Sequence, residues 1–95
     1  MQNHFVVVTY DIPSDKRRTK LHKTLCSYGT PVQYSVFECL VDENELERMQ
    51  AAVKRIIKPR LDDVRYYFLC GACQKRIETT AAGVEVVARV DVIVV

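Results

Sequence analysis

The chain has 95 residues, 48% of them hydrophobic, with 14 Lys/Arg against 12 Asp/Glu for a net charge of +2. That length has room for one core and no second domain, so a single globular domain over residues 1–95 is expected. No apolar run approaches the roughly 20 residues of a membrane helix, and no charged N-terminal region leads into a long apolar stretch and cleavage site; a cytoplasmic protein with no membrane contact is the expectation.

His4 to Ile12 is a near-continuous apolar run, the pattern of a central strand flanked on both sides. Ser14 is placed to cap a helix running to about Tyr28, with Leu21, Leu25 and Tyr28 on one stripe and Gly29 as its stop. Lys16, Lys20 and Lys23 recur on a neighbouring stripe, which should face solvent. Pro31 to Val41 alternates and is rich in β-branched and aromatic residues, so it reads as strand, with a fold at Tyr34-Ser35 allowed for. Asp42 with Glu45 has the form of a capping box, opening a second helix whose core stripe is Leu46, Met49, Val53, Ile56 and Ile57 and which closes at Lys58-Pro59. Val64 to Cys70 is the next strand, and Arg76 to Thr80 is expected to add a short one.

The segment from Val84 to Val95 is apolar at nearly every other position. Such a strand is an aggregation liability unless it is paired, so residues 81–95 are expected to dock on a sheet edge, of this chain or of a second copy in a twofold dimer. Two helices and four strands in the order βαββαβ make a ferredoxin-like sandwich of the α+β class, with the C-terminal tail as an extra strand. That fold hosts many functions and decides none.

Function must come from particular residues. Asp11 stands where the first strand stops and a basic helix begins, with Lys16, Arg17, Arg18, Lys20 and Lys23 close behind. Residues 1–34 carry five Lys/Arg against Asp11 and Asp15, a local +3, whereas residues 35–95 sum to −1. A fixed carboxylate beside a phosphate-attracting cluster fits metal-assisted chemistry, or binding, on nucleic acid. The competing role for Asp11 is to cap the strand-to-helix turn at Pro13. Cys70-Gly-Ala-Cys73 has the spacing of half a zinc site or of a redox dithiol. Cys26, Cys39, His4 and His22 form no second close pair to complete a zinc site, and a redox centre wants its first cysteine opening a helix; two small residues at a strand end is the preferred reading.

Val8-Thr9-Tyr10-Asp11-Ile12, Lys16-Arg17-Arg18 with Lys20-Leu21, Tyr28-Gly29, Val32-Gln33-Tyr34-Ser35-Val36-Phe37-Glu38 and Tyr66-Tyr67-Phe68-Leu69-Cys70 together resemble the Cas-two (Cas2) family. These are small CRISPR-associated proteins of prokaryotic adaptive immunity, and the resemblance covers about nine-tenths of the chain. It implies a ferredoxin-like homodimer in which Asp11 faces its twin and binds Mg2+, and an endonuclease acting on single-stranded RNA or double-stranded DNA. By motif match Asp11 is the catalytic and metal residue with Tyr10 beside it. Arg17, Arg18 and Lys20 would contact the nucleic-acid backbone, and Ser35 and Phe37 would lie near the same cleft. The resemblance also implies a non-catalytic role, as the central dimer that binds duplex DNA and bridges subunits of the Cas-one (Cas1) integrase. His4 and His22 read as surface residues.

Overall fold

The computed structural model describes residues 3–80, so the expected tail strand over 81–95 lies outside the described residues. The apolar run forms β1 (Asn3–Asp11), and Ser14 caps α1 (Asp15–Leu25), its hydroxyl accepting the Arg17 amide at 3.2 Å. The chain returns as β2 (Gly29–Gln33), turns at Tyr34-Ser35 and runs back as β3 (Val36–Asp42). Ser35 takes a left-handed φ of 65°, which a tight reversal between paired strands demands. Asp42 then opens α2 (Glu43–Ile56) through a complete capping box, accepting the Glu45 amide at 2.8 Å while the Glu45 carboxylate accepts the Asp42 amide at 2.9 Å. β4 (Asp63–Leu69) and a single helical turn, α3 (Gly71–Gln74), complete the described chain.

The four strands form one antiparallel sheet in the order β2-β3-β1-β4, the α+β arrangement expected, with β1 internal. Each helix connects two parallel strands that are separated by a third, so α1 and α2 lie together on one face. Val6, Val8 and Tyr10 of β1, Phe37, Cys39 and Val41 of β3, Leu21 and Leu25 of α1, and Leu46, Met49 and Val53 of α2 fill the core between sheet and helices. Ile56, Ile57, Tyr28, Val64 and Tyr66 pack at its margin.

Two elements end differently from expectation. α1 stops at Leu25, before Tyr28, and Gly29 opens β2 instead of stopping the helix: a Cβ there would strike Cys39 Sγ and sit 2.6 Å from the Glu38 carbonyl oxygen, so only glycine lets β2 lie this close to β3. Arg76 to Thr80 is not a strand; the chain leaves β4 through α3 and a turn, and residues 77–80 have no regular structure.

Candidate active site and nucleic-acid interface

β1 carries Tyr10 and Asp11 consecutively, and successive side chains of a strand point to opposite faces. Tyr10 belongs to the helix-covered face and is buried, whereas Asp11 is exposed on the other face. The cap role is taken by Ser14, and no hydrogen bond or ion pair among the described residues engages the Asp11 carboxylate. The two side chains therefore sit on opposite faces of β1, although Tyr10 also lines the depression that holds Asp11.

On the open face Asp11 is the register partner of Asp63 at the start of β4, and both line a shallow depression of about 240 Å³ with Thr9, Tyr10, Arg65 and Tyr67. Like charges directly opposite on paired strands repel. Arg65 relieves part of that repulsion, its Nε donating to Asp63 at 3.1 Å, and leaves Asp11 as the uncommitted carboxylate. The same face continues along the sheet through Val7, flanked by Glu38 and Tyr67, to Phe5, flanked by Leu40 and Leu69, where Phe5 is buried.

Behind the sheet edge, Tyr10, Arg18, Thr19, His22, Lys23, Gln33, Tyr34 and Ser35 line a cleft of about 270 Å³. The Tyr10 amide donates to the Ser35 carbonyl at 3.1 Å, which ties the β2–β3 turn to the end of β1. The Tyr10 hydroxyl lies 3.5 Å from His22 Nδ1, and burial raises the Tyr10 phenol above its ordinary value, so it stays protonated near neutrality. Phe37 is fully buried beneath this cleft, edge-on to His22 with ring centroids 5.1 Å apart. Direct contact with nucleic acid is therefore closed to Phe37, which instead supports the floor of the cleft; His22 is exposed, as expected, at the rim of that cleft.

The basic helix divides in the same way. Arg17 points back to Asp62, donating from Nε at 2.7 Å and from a terminal nitrogen at 2.8 Å, and the Asp62 carboxylate also accepts the Lys58 amide at 2.8 Å. The Asp62 side chain is fully enclosed, and the Arg17 guanidinium holds its carboxyl below the usual carboxylate range. Arg18 donates to the Ile12 carbonyl at 2.7 Å and pairs with Asp15. Both arginines thus fasten α1 to neighbouring backbone and loop. Lys16, Lys20 and Lys23 are exposed along α1, and no ion pair among the described residues involves them. Sequence reasoning missed Asp63, Arg65, Gln33 and Tyr34 as site residues; the Asp62-Asp63 pair just before β4 was the available signal.

A family model for the CRISPR associated protein Cas2 matches residues 4–77. The chain belongs to the Cas2 family. This Cas2 protein is 45% identical over 65 residues to a Chloroflexus aurantiacus protein named as a CRISPR-associated endoribonuclease Cas2, covering 68% of this chain and 70% of the relative. It is 44% identical over 71 residues to a CRISPR-associated endonuclease Cas2 of Thermus thermophilus, covering 75% and 79% respectively. Among solved structures, Streptococcus pyogenes Cas2 superposes with a TM-score of 0.72 at 35% identity, over 81% of this chain and 99% of that one. A chain of a partial Cas6-RT-Cas1--Cas2 complex superposes at 0.69 with 28% identity, over 81% and 90%.

Proposed function

We propose that this Cas2 protein is a Mg2+-dependent endonuclease that hydrolyses phosphodiester bonds of single-stranded RNA or double-stranded DNA, and that it works as a homodimer joined at the open sheet faces. The observation that carries this reading is the uncommitted Asp11 carboxylate, exposed at the end of the central strand opposite Asp63. The relatives named as an endoribonuclease and an endonuclease support the nuclease part of this reading. The donor set also fits the metal. Mg2+ takes hard oxygen ligands and retains several waters, and no group of three or more His, Cys, Asp or Glu side chains is assembled among the described residues. Two carboxylates of one protomer match a largely hydrated cation that takes its remaining ligands from substrate phosphate or from a second copy. When bound, the ion would supply a polarised water and offset charge on the scissile phosphate.

The chain's own residues do the rest. Asp11 is the primary carboxylate, and Arg65 orients Asp63 beside it. Tyr10 anchors the site from the opposite face, holding the Ser35 turn through its amide. Lys16, Lys20 and Lys23 offer exposed ammonium groups to a phosphate backbone, while Arg17 and Arg18 keep the helix that carries them in place. In this reading the open face meets a second copy, and a face-to-face dimer sets two copies of Asp11 near one another.

A second reading is favoured by the exposed lysines and by the likeness to a chain of the Cas1-containing complex: a non-catalytic adaptor that binds duplex DNA and docks Cas1 subunits. Phosphate contacts of that kind position nucleic acid without reading its sequence. Cleavage of labelled single-stranded RNA and double-stranded DNA, with Mg2+ and with EDTA, separates the two. Cation-dependent cutting that is lost in Asp11→Ala supports the nuclease. Salt-sensitive duplex binding without cutting by the wild type supports the adaptor.

A further inference from the structure

The Cys70-Gly-Ala-Cys73 motif has no part in the open-face site or in the α1 cleft. Both thiols are exposed, on a helical turn that packs against the end of β4. Cys70 follows β4 and caps α3, and its Sγ accepts the Cys73 amide at 3.4 Å. That bond holds the two cysteines within one helical turn of each other. The expectation from the sequence was that a short segment after a strand end would deny the pair this arrangement. The segment is indeed short, yet it places the first cysteine at the opening of a helical turn with its partner against it.

We infer that Cys70 and Cys73 form a reversible dithiol–disulfide pair that exchanges with disulfides of the glutathione class. Cys70 is the attacking group: the Cys73 amide donates to its Sγ at 3.4 Å and favours its thiolate, lowering its pKa, whereas the neighbouring Cys70 side chain raises that of Cys73. In the first step the Cys70 thiolate attacks one sulfur of R–S–S–R, forming a Cys70–S–R mixed disulfide and releasing R–S⁻. In the second, Cys73, having lost its proton to solvent, attacks Cys70 Sγ, forms the Cys70–Cys73 disulfide and releases the second R–S⁻. The protein is oxidised by two electrons, the external disulfide is reduced to two thiols, and the two cysteine protons balance the two departing thiolates. The other thiols are placed differently: Cys39 is fully buried and burial pushes it up to about 11, and Cys26 is exposed at the end of α1. A thiophilic metal is the alternative occupant, but no third His, Cys, Asp or Glu joins the pair among the described residues.

The test equilibrates reduced full-length protein under argon with a series of reduced-to-oxidised glutathione ratios, followed by acid quench, alkylation and peptide mass analysis. The expected result is concerted loss of alkylation at Cys70 and Cys73, with no lasting glutathione adduct and with Cys26 still alkylatable. Cys73→Ser should trap glutathione on Cys70, whereas Cys70→Ser should leave Cys73 largely unmodified under the same conditions; circular dichroism of each variant checks that the fold is kept. A stable glutathione adduct on the wild type, oxidation of the pair no more readily than Cys26, or a stoichiometric zinc ion released only with chelator would each overturn the proposal.

Discussion

Asp11 and Tyr10 are neighbours in sequence that look in opposite directions, and this alternation decides what each can do. Asp11 meets Asp63 and solvent; Tyr10 meets His22, Phe37 and the core. The sequence made Asp11 stand out, because a lone carboxylate after an apolar run is unusual. It could not place Asp63, whose partnership with Asp11 spans two strands distant in the chain. Asp63→Asn should weaken cation affinity at the open face by roughly 10-fold to 100-fold, as for other groups that support a metal-bound carboxylate, measured by Mn2+ or Mg2+ titration of cleavage. The Arg17–Asp62 pair was equally hidden, because its members lie 45 positions apart. Its pH signature follows from the lowered folded pKa of Asp62. The stability it contributes is complete above the unfolded carboxylate pKa of about 4 and is lost as pH falls through the lower folded value. The difference in Tm between wild type and Asp62→Asn should therefore be constant near neutrality and shrink below about pH 4; a gap unchanged at acid pH would remove the pair from the account.

Elements were legible where a local rule fixed them. The capping box at Asp42 and Glu45, the Leu46-Met49-Val53 stripe and the reversal at Tyr34-Ser35 each depend on residues within a few positions of one another. The end of α1 was not, because Gly29 serves a strand contact with Cys39 rather than a helix stop. Gly29→Ala must displace the β3 backbone at Glu38, and overpacking of this kind costs about 1–3 kcal/mol, readable in urea denaturation. α1 itself has an inner role and an outer one. Its buried Leu21 and Leu25 and its two tied arginines hold it on the sheet, and its lysines face outward. Lys20→Ala and Lys23→Ala should each reduce the slope of log affinity against log salt by about 0.9 on duplex DNA if each contacts one phosphate. Arg17→Ala should act mainly on stability, because its guanidinium is committed to Asp62.

At the scale of the whole molecule, the ferredoxin-like sheet was read correctly because its element order leaves few right-handed, uncrossed topologies. The division of the site was not read, because it depends on which face the two helices cover. With α1 and α2 on one side, Asp11 and Asp63 stand together at one end of the other. That arrangement suits a second copy and a phosphate backbone together, and it makes Asp11 the residue on which the account turns. The most direct measurement is single-turnover cleavage by wild type and Asp11→Asn at saturating Mg2+, with binding of the same nucleic acid measured in parallel. The account predicts a loss of turnover on the order of a hundredfold or more with affinity nearly unchanged. Equal turnover by the two proteins would contradict it.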